Sequence, residues 1–214
     1  MRNLSFVSLR YLLLKNILMT NFHITKDEIN RLPMKQYEGP IHLIRTPDEA
    51  EQAAASLKQE TLLGFDTETR PTFRVGEYYQ PSLLQLATEK EVFLFQIKLT
   101  GLTKGLCEVL SSPDIVKTGV SIRSDVSELR KLTAFEPAGF VELAEYAKKA
   151  HIKNLGLRGL AALLLGFRVS KREQTSNWAK NELTESQLRY AATDAWLGRE
   201  IYRHMDGLGL IKEK

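Results

Sequence analysis

The run Leu62-Leu63-Gly64-Phe65-Asp66-Thr67-Glu68 constrains this chain more than any other stretch, because it carries an apolar segment toward a core and ends it in two acids. In a strand, side chains alternate between faces, so Asp66 and Glu68 point the same way. Two like charges at the end of a buried strand repel each other. A divalent cation between them is the simplest way to stabilise the pair. Taken alone, the pattern equally describes two exposed acids at a strand end, so any metal reading needs further ligands from elsewhere in the chain.

The 214 residues suit one domain of ordinary size. Lys and Arg number 30 against 26 Asp and Glu, a net charge of +4 that is compatible with a polyanionic partner but does not identify one. Cys107 is the single cysteine, which excludes an internal disulfide and a cysteine-rich zinc site. A reducing, cytoplasmic setting and no disulfide-linked partner are expected. Residues 1–20 are apolar and basic, but Arg10 and Lys15 interrupt them, and no small-residue cleavage site follows. They are too short for a membrane span and unlike a signal peptide. We expect a tail there, with Met19 as the natural start, and no membrane association.

Capping signals place the helices. Thr25 with Glu28 opens a short helix in an extension over residues 21–40, and Thr46-Pro47-Asp48-Glu49 opens a second, Ala-rich one. Strands are expected at 41–44, 62–66, 82–87, 92–97 and 115–120. The middle three are close enough to form an antiparallel meander. Leu84 and Leu86 should face the core, with Gln85 on the opposite face, either bonded to backbone near the acids or exposed. Helices are expected over 102–110 and 125–132, helical or mixed structure over 140–150, and an apolar helix over 155–165 stopped by Gly166. A basic loop at 167–180 precedes a long helix from Thr184 to about His204. One α/β domain over 41–208 with a short C-terminal tail at 209–214 is the economical arrangement.

Two further stretches carry chemistry. In the last helix, Tyr190 and Asp194 are four residues apart and share a face, and the small residues Ala191 and Ala192 let that helix approach a neighbour closely. In Gly119-Val120-Ser121-Ile122-Arg123-Ser124-Asp125, a strand-end glycine is followed six residues on by an acid. An acid in the first turn of a helix also has a purely electrostatic explanation.

Asp66, Glu68, Asp125 and Asp194, in this order and with Tyr190 four before the last, resemble the DEDD superfamily of 3′–5′ exonucleases. The blocks F-D-T-E, S-L-L-Q-L-A, G-x5-D-x3-L, S-N-W and L-T-x-x-Q-x-x-Y-A-A-T-D-A look like successive motifs of the ribonuclease D and Werner-type exonucleases over roughly residues 40–205. The histidine subclass has His five before the last Asp. Arg189 stands there, so the pattern is similar to the tyrosine subclass. The four histidines match no part of it. Ribonuclease D-like proteins carry further helical domains, and none is expected before the chain stops at Lys214.

The resemblance implies a ribonuclease H-like fold, a mixed five-stranded sheet with three antiparallel strands followed by parallel crossovers, flanked by helices. It implies that Asp66, Glu68 and Asp194 ligate one divalent ion, that Asp66 bridges to a second supported by Asp125, and that both are Mg²⁺ or Mn²⁺. Tyr190 would orient the attacking water. The partner would be the 3′ end of DNA or RNA. Thr67 is expected to use its backbone near that end. Arg123, Lys171, Arg172 and Lys180 would hold phosphates, although a solvated basic face explains them equally. Trp178 is either a core anchor or a stacking surface for a base. Two other classes remain open at this point: a catalytically idle nucleic-acid-binding module on the same fold, and a small-molecule metal hydrolase.

Overall fold

Alternation along the run at Leu62 decides which elements it lies between. The computed structural model describes residues 23–211, so the expected tail at 1–20, the start at Met19 and residues 212–214 lie outside the described residues. Helix α1 (Lys26–Arg31) is closed by the expected capping box of Thr25 and Glu28. The chain then straps itself to a later segment. Asn154 exchanges hydrogen bonds with the backbone of Ile24 at 2.8 and 2.9 Å, and Arg168 Nε donates to the Leu32 carbonyl at 3.0 Å.

Strand β1 (Ile41–Ile44) leads to helix α2 (Pro47–Leu57), capped by Thr46 and Glu49 with Pro47 in its first turn. Strands β2 (Leu62–Thr69), β3 (Pro81–Ala87) and β4 (Val92–Gln96) form the antiparallel meander. Short helix α3 (Ile97–Thr100) and helix α4 (Lys104–Ser111) lead to β5 (Val116–Gly119), followed by α5 (Ile122–Leu132). Strand β6 (Phe140–Glu142) runs directly into α6 (Leu143–Lys149). Helix α7 (Leu157–Leu160) continues as a π-helical turn, Ala161–Leu165, stopped by Gly166 in the left-handed region at φ 74°. Helix α8 (Glu185–Gly207) is the longest among the described residues.

Among the described residues the sheet has six strands in the order β1-β4-β3-β2-β5-β6, with β1, β5 and β6 joined in parallel to their neighbours. This is the mixed sheet flanked by helices that was expected, with one strand more. The addition is β6. Its three residues are too few to show a period of two, and it merges into a helix, so the stretch reads as mixed.

Each face of the sheet meets a helical layer. Leu63, Phe65, Leu84, Leu86, Phe93 and Phe95 pack against the buried faces of α2, α4 and α5. On the other face, Leu83, Ala87 and Leu94 meet Ala191, Ala192 and Ala195 of α8, together with Trp178. Phe65 belongs to the first layer, so Asp66 and Glu68 turn toward α8.

Candidate active site

The site forms where β2 passes beneath α8. Asp66 and Glu68 leave the sheet on the helix side, and Asp194 comes down from α8 to meet them. One carboxylate oxygen from each of the three lies within 4.8 Å of the others. Residues 128 positions apart thereby converge, as the sequence pattern requires (194 − 66). The approach depends on small residues. Ala191, Ala192 and Ala195 are fully buried, and Gly64 on β2 sits directly under the backbone of Ala195.

Asp125 approaches from the opposite side on α5 and stands outside this group of three. Its Oδ1 accepts a hydrogen bond from Thr67 Oγ1 at 2.8 Å. The Thr67 backbone N–H donates to Asp66 Oδ1 at 2.9 Å. Thr67, expected to serve a substrate end through its backbone, is thus committed to holding two of the acids.

The first turn of α5 is built unusually. Ser121 is left-handed, at φ 64°, and offers no side-chain cap. Glu142, at the end of β6, supplies one instead. Its two carboxylate oxygens accept from the N–H groups of Ser121 and Ile122, each at 2.9 Å. A carboxylate at a helix N-terminus also meets the positive end of the dipole. Glu142→Ala should lower stability by about 1–2 kcal/mol in urea unfolding and loosen the turn that carries Asp125. No sequence signal marked Glu142, because the cap comes from a residue 20 positions from Ile122.

Electrostatics sets the demand for a cation. Burial raises the Asp66 pKa well above the usual carboxylate range, and the charges of Asp194 and Asp125 add to it. Burial, then Asp66, pushes Glu68 up to about 10. Burial raises Asp194 to about 7, opposed by a hydrogen bond from the Tyr190 phenol and by the charge of Arg158. Burial raises Asp125 to about 6, opposed by the Thr67 hydroxyl. The Tyr190 phenol is itself held above its ordinary value, first by burial and then by Asp194 and Glu68. A set of carboxylate oxygens this close and this poorly solvated fits a hard divalent cation, which takes oxygen ligands and offsets their repulsion.

Asp66, Tyr190 and Asp194 line a cavity of about 860 Å³. Arg158 and Lys171 stand in its walls, and the N-terminal strap, including Lys26 and Asn30, closes one side. Of the other expected contacts, Arg123 is paired with Glu145 at 2.5 Å, and Arg172 lies exposed, 3.9 Å from Glu173. Lys180 is exposed beside a different cavity. Trp178 is 1% exposed, with its ring centroid 6.0 Å from that of Tyr190. It is a core anchor, and the expectation of a base-stacking face is corrected: burial leaves no face to stack on. Gln85 is corrected as well. It pairs with Asp66 across the β2–β3 ladder, yet it is fully buried and its amide makes no hydrogen bond among the described residues.

Residues 41–208 match the sequence profile of a 3′–5′ exonuclease domain. The chain is 32% identical over 190 residues to the bifunctional 3′–5′ exonuclease/ATP-dependent helicase WRN of Mus musculus, covering 84% of this chain and 14% of that protein. It therefore spans a small part of that relative. The Aedes aegypti Nibbler EXO domain superposes with a TM-score of 0.74 at 25% identity, covering 81% of this chain and 92% of that one. The fold is also that of Trypanosoma brucei RNase D, solved in complex with RNA U12. The TM-score there is 0.70 at 22% identity, over 79% of this chain and 63% of that one.

Proposed function

The chain belongs to the 3′–5′ exonuclease domain family, and we propose that it hydrolyses the terminal phosphodiester at the 3′ end of DNA or RNA, releasing nucleoside 5′-monophosphates one at a time. The observation that carries this reading is the convergence of Asp66, Glu68 and Asp194, with Tyr190 one helical turn before Asp194 and lining the same cavity.

Asp66, Glu68 and Asp194 would hold one Mg²⁺ or Mn²⁺, and Asp66 with Asp125 a second. Bound there, the ions would neutralise the phosphodiester and acidify the attacking water. The chain supplies the rest. In the reaction, a water oxygen bonds to phosphorus while the bond from phosphorus to the 3′ oxygen of the penultimate nucleotide breaks. The water releases one proton to solvent, the 3′ oxygen takes one up, and the departing nucleotide keeps the phosphate. Tyr190 is held protonated, so it acts as a hydrogen-bond donor and positions the water rather than removing its proton. Thr67 fixes the orientation of Asp66 and Asp125 through its two hydrogen bonds.

The test is release of mononucleotide from a 5′-labelled single-stranded oligonucleotide with Mg²⁺ or Mn²⁺, on matched DNA and RNA. A ladder shortening from the 3′ end supports the reading. A folded protein that leaves both substrates intact refutes it. In the same assay, Tyr190→Phe should lower kcat by about 10²-fold with Mn²⁺ affinity unchanged. An unaltered rate would remove the phenol from the reaction.

A further inference from the structure

Arg158 lines the catalytic cavity without a hydrogen-bond or ion-pair partner among the described residues. It lies in the first turn of α7 and lines the same space as Asp66, Tyr190 and Asp194. Its Nε is fully buried with no hydrogen bond, and its guanidinium makes no ion pair with any described residue. It is close enough to Asp194 and Tyr190 to act on both electrostatically. A half-buried cation with an unmet buried donor is costly to maintain. Several other arginines spend their charge on carboxylates, as Arg45 does on Glu182 at 3.0 Å and Arg130 on Glu136 at 3.2 Å. The chain thus holds a planar, always-charged fork open toward the place where its carboxylates gather.

We propose that Arg158 is a catalytic residue whose guanidinium donates to the non-bridging oxygens of the scissile phosphodiester. The inference rests on the exonuclease reading above. A guanidinium matches two phosphate oxygens in a bidentate pair, which an ammonium cannot reproduce. Negative charge on those oxygens changes as water adds and the 3′ oxygen leaves, so donors fixed in a poorly solvated wall act where charge develops. The same phosphate becomes the 5′-phosphate of the released nucleotide, and Arg158 should therefore also hold the product.

The competing role is purely structural, with Arg158 serving as counter-charge to Asp194. Arg158→Gln and Arg158→Lys separate the two. Each is measured for kcat and KM on a single-stranded oligonucleotide, for Mn²⁺ affinity, for Tm, and for binding of a nucleoside 5′-monophosphate against the unphosphorylated nucleoside. Arg158→Gln should lower kcat/KM by about 10²-fold and weaken monophosphate binding by about 10-fold. Nucleoside binding, Mn²⁺ affinity and Tm should stay near wild type. Arg158→Lys should recover part of the loss. Unchanged kinetics and monophosphate binding would overturn the proposal, as would a loss that follows weakened Mn²⁺ binding or a lowered Tm. Activity in the wild type alongside an equally active Arg158→Gln sinks only the role of Arg158. A folded wild type inactive on every 3′ end sinks the exonuclease reading and this inference with it.

Discussion

Asp66→Ala should abolish mononucleotide release, a fall of about 10⁴-fold or more, while leaving the metal-free protein at least as stable as the wild type. The two halves of this result have one cause. Asp66 is the group around which the other acids are arranged, and it raises the pKa of Glu68. Removing it takes away a ligand and also a source of repulsion. The sign of the pH dependence follows. A carboxylate whose pKa is higher in the folded protein binds more protons there than in the unfolded chain. Its contribution to stability is complete below the unfolded value near 4 and is lost as pH rises through the folded value. With Asp125 at about 6, Asp194 at about 7 and Glu68 at about 10, the metal-free wild type should lose Tm steadily from pH 5 to pH 9. Asp66→Ala should flatten that decline. Mn²⁺ should reverse it in the wild type, most strongly at the alkaline end, because ligation requires the deprotonated acids. Calorimetric scans across pH, with and without Mn²⁺, read all of this. An Asp66→Ala protein that still trims 3′ ends would end the carboxylate mechanism. One that melts far below the wild type without metal would show Asp66 to be structural.

What could be seen in the sequence was what repeats or caps locally. Thr25 with Glu28 and Thr46 with Glu49 each cap a helix where their spacing predicts it, and Thr184 opens the last one as expected. The period of two put Asp66 and Glu68 on one face of their strand, and the four-residue spacing put Tyr190 and Asp194 on one face of α8, where both line the same cavity. What escaped depends on partners distant in sequence. Glu142 caps α5 from the far side of β5, Arg158 sits within an otherwise apolar run, and Gln85 is buried although its position in the strand allowed an exposed face. Trp178 could not be assigned from its neighbours, since the loop around it is polar and its burial comes from partners in the sheet and in α8.

Gly64 was legible as a letter in the apolar run but not as a requirement. A methyl group placed on its Cα would lie 1.9 Å from the carbonyl oxygen of Ala195 and 3.1 Å from the backbone nitrogen of Arg199. Both are main-chain atoms of α8, so no rotamer change relieves the clash, and the helix itself has to move. The same close approach recurs one strand over, where a methyl on Gly198 would lie 2.6 Å from the Thr118 carbonyl oxygen. Asp194 is next to Ala195, so a helix lifted from β2 carries Asp194 away from Asp66 and Glu68. Gly64→Ala should therefore cost about 2–3 kcal/mol of stability and, in the fraction that folds, about 10²-fold in kcat/KM, with Mn²⁺ affinity falling in step. The control lies on the same helix. A methyl on Gly207 meets nothing within 4 Å among the described residues, so Gly207→Ala should be neutral or gain up to about 1 kcal/mol from helix propensity. Urea unfolding and Mn²⁺ titration of the two variants compare them directly. If Gly64→Ala bound Mn²⁺ as tightly as the wild type, the metal site would not depend on how closely α8 lies on β2, and the geometry assigned to Asp194 would have to be given up.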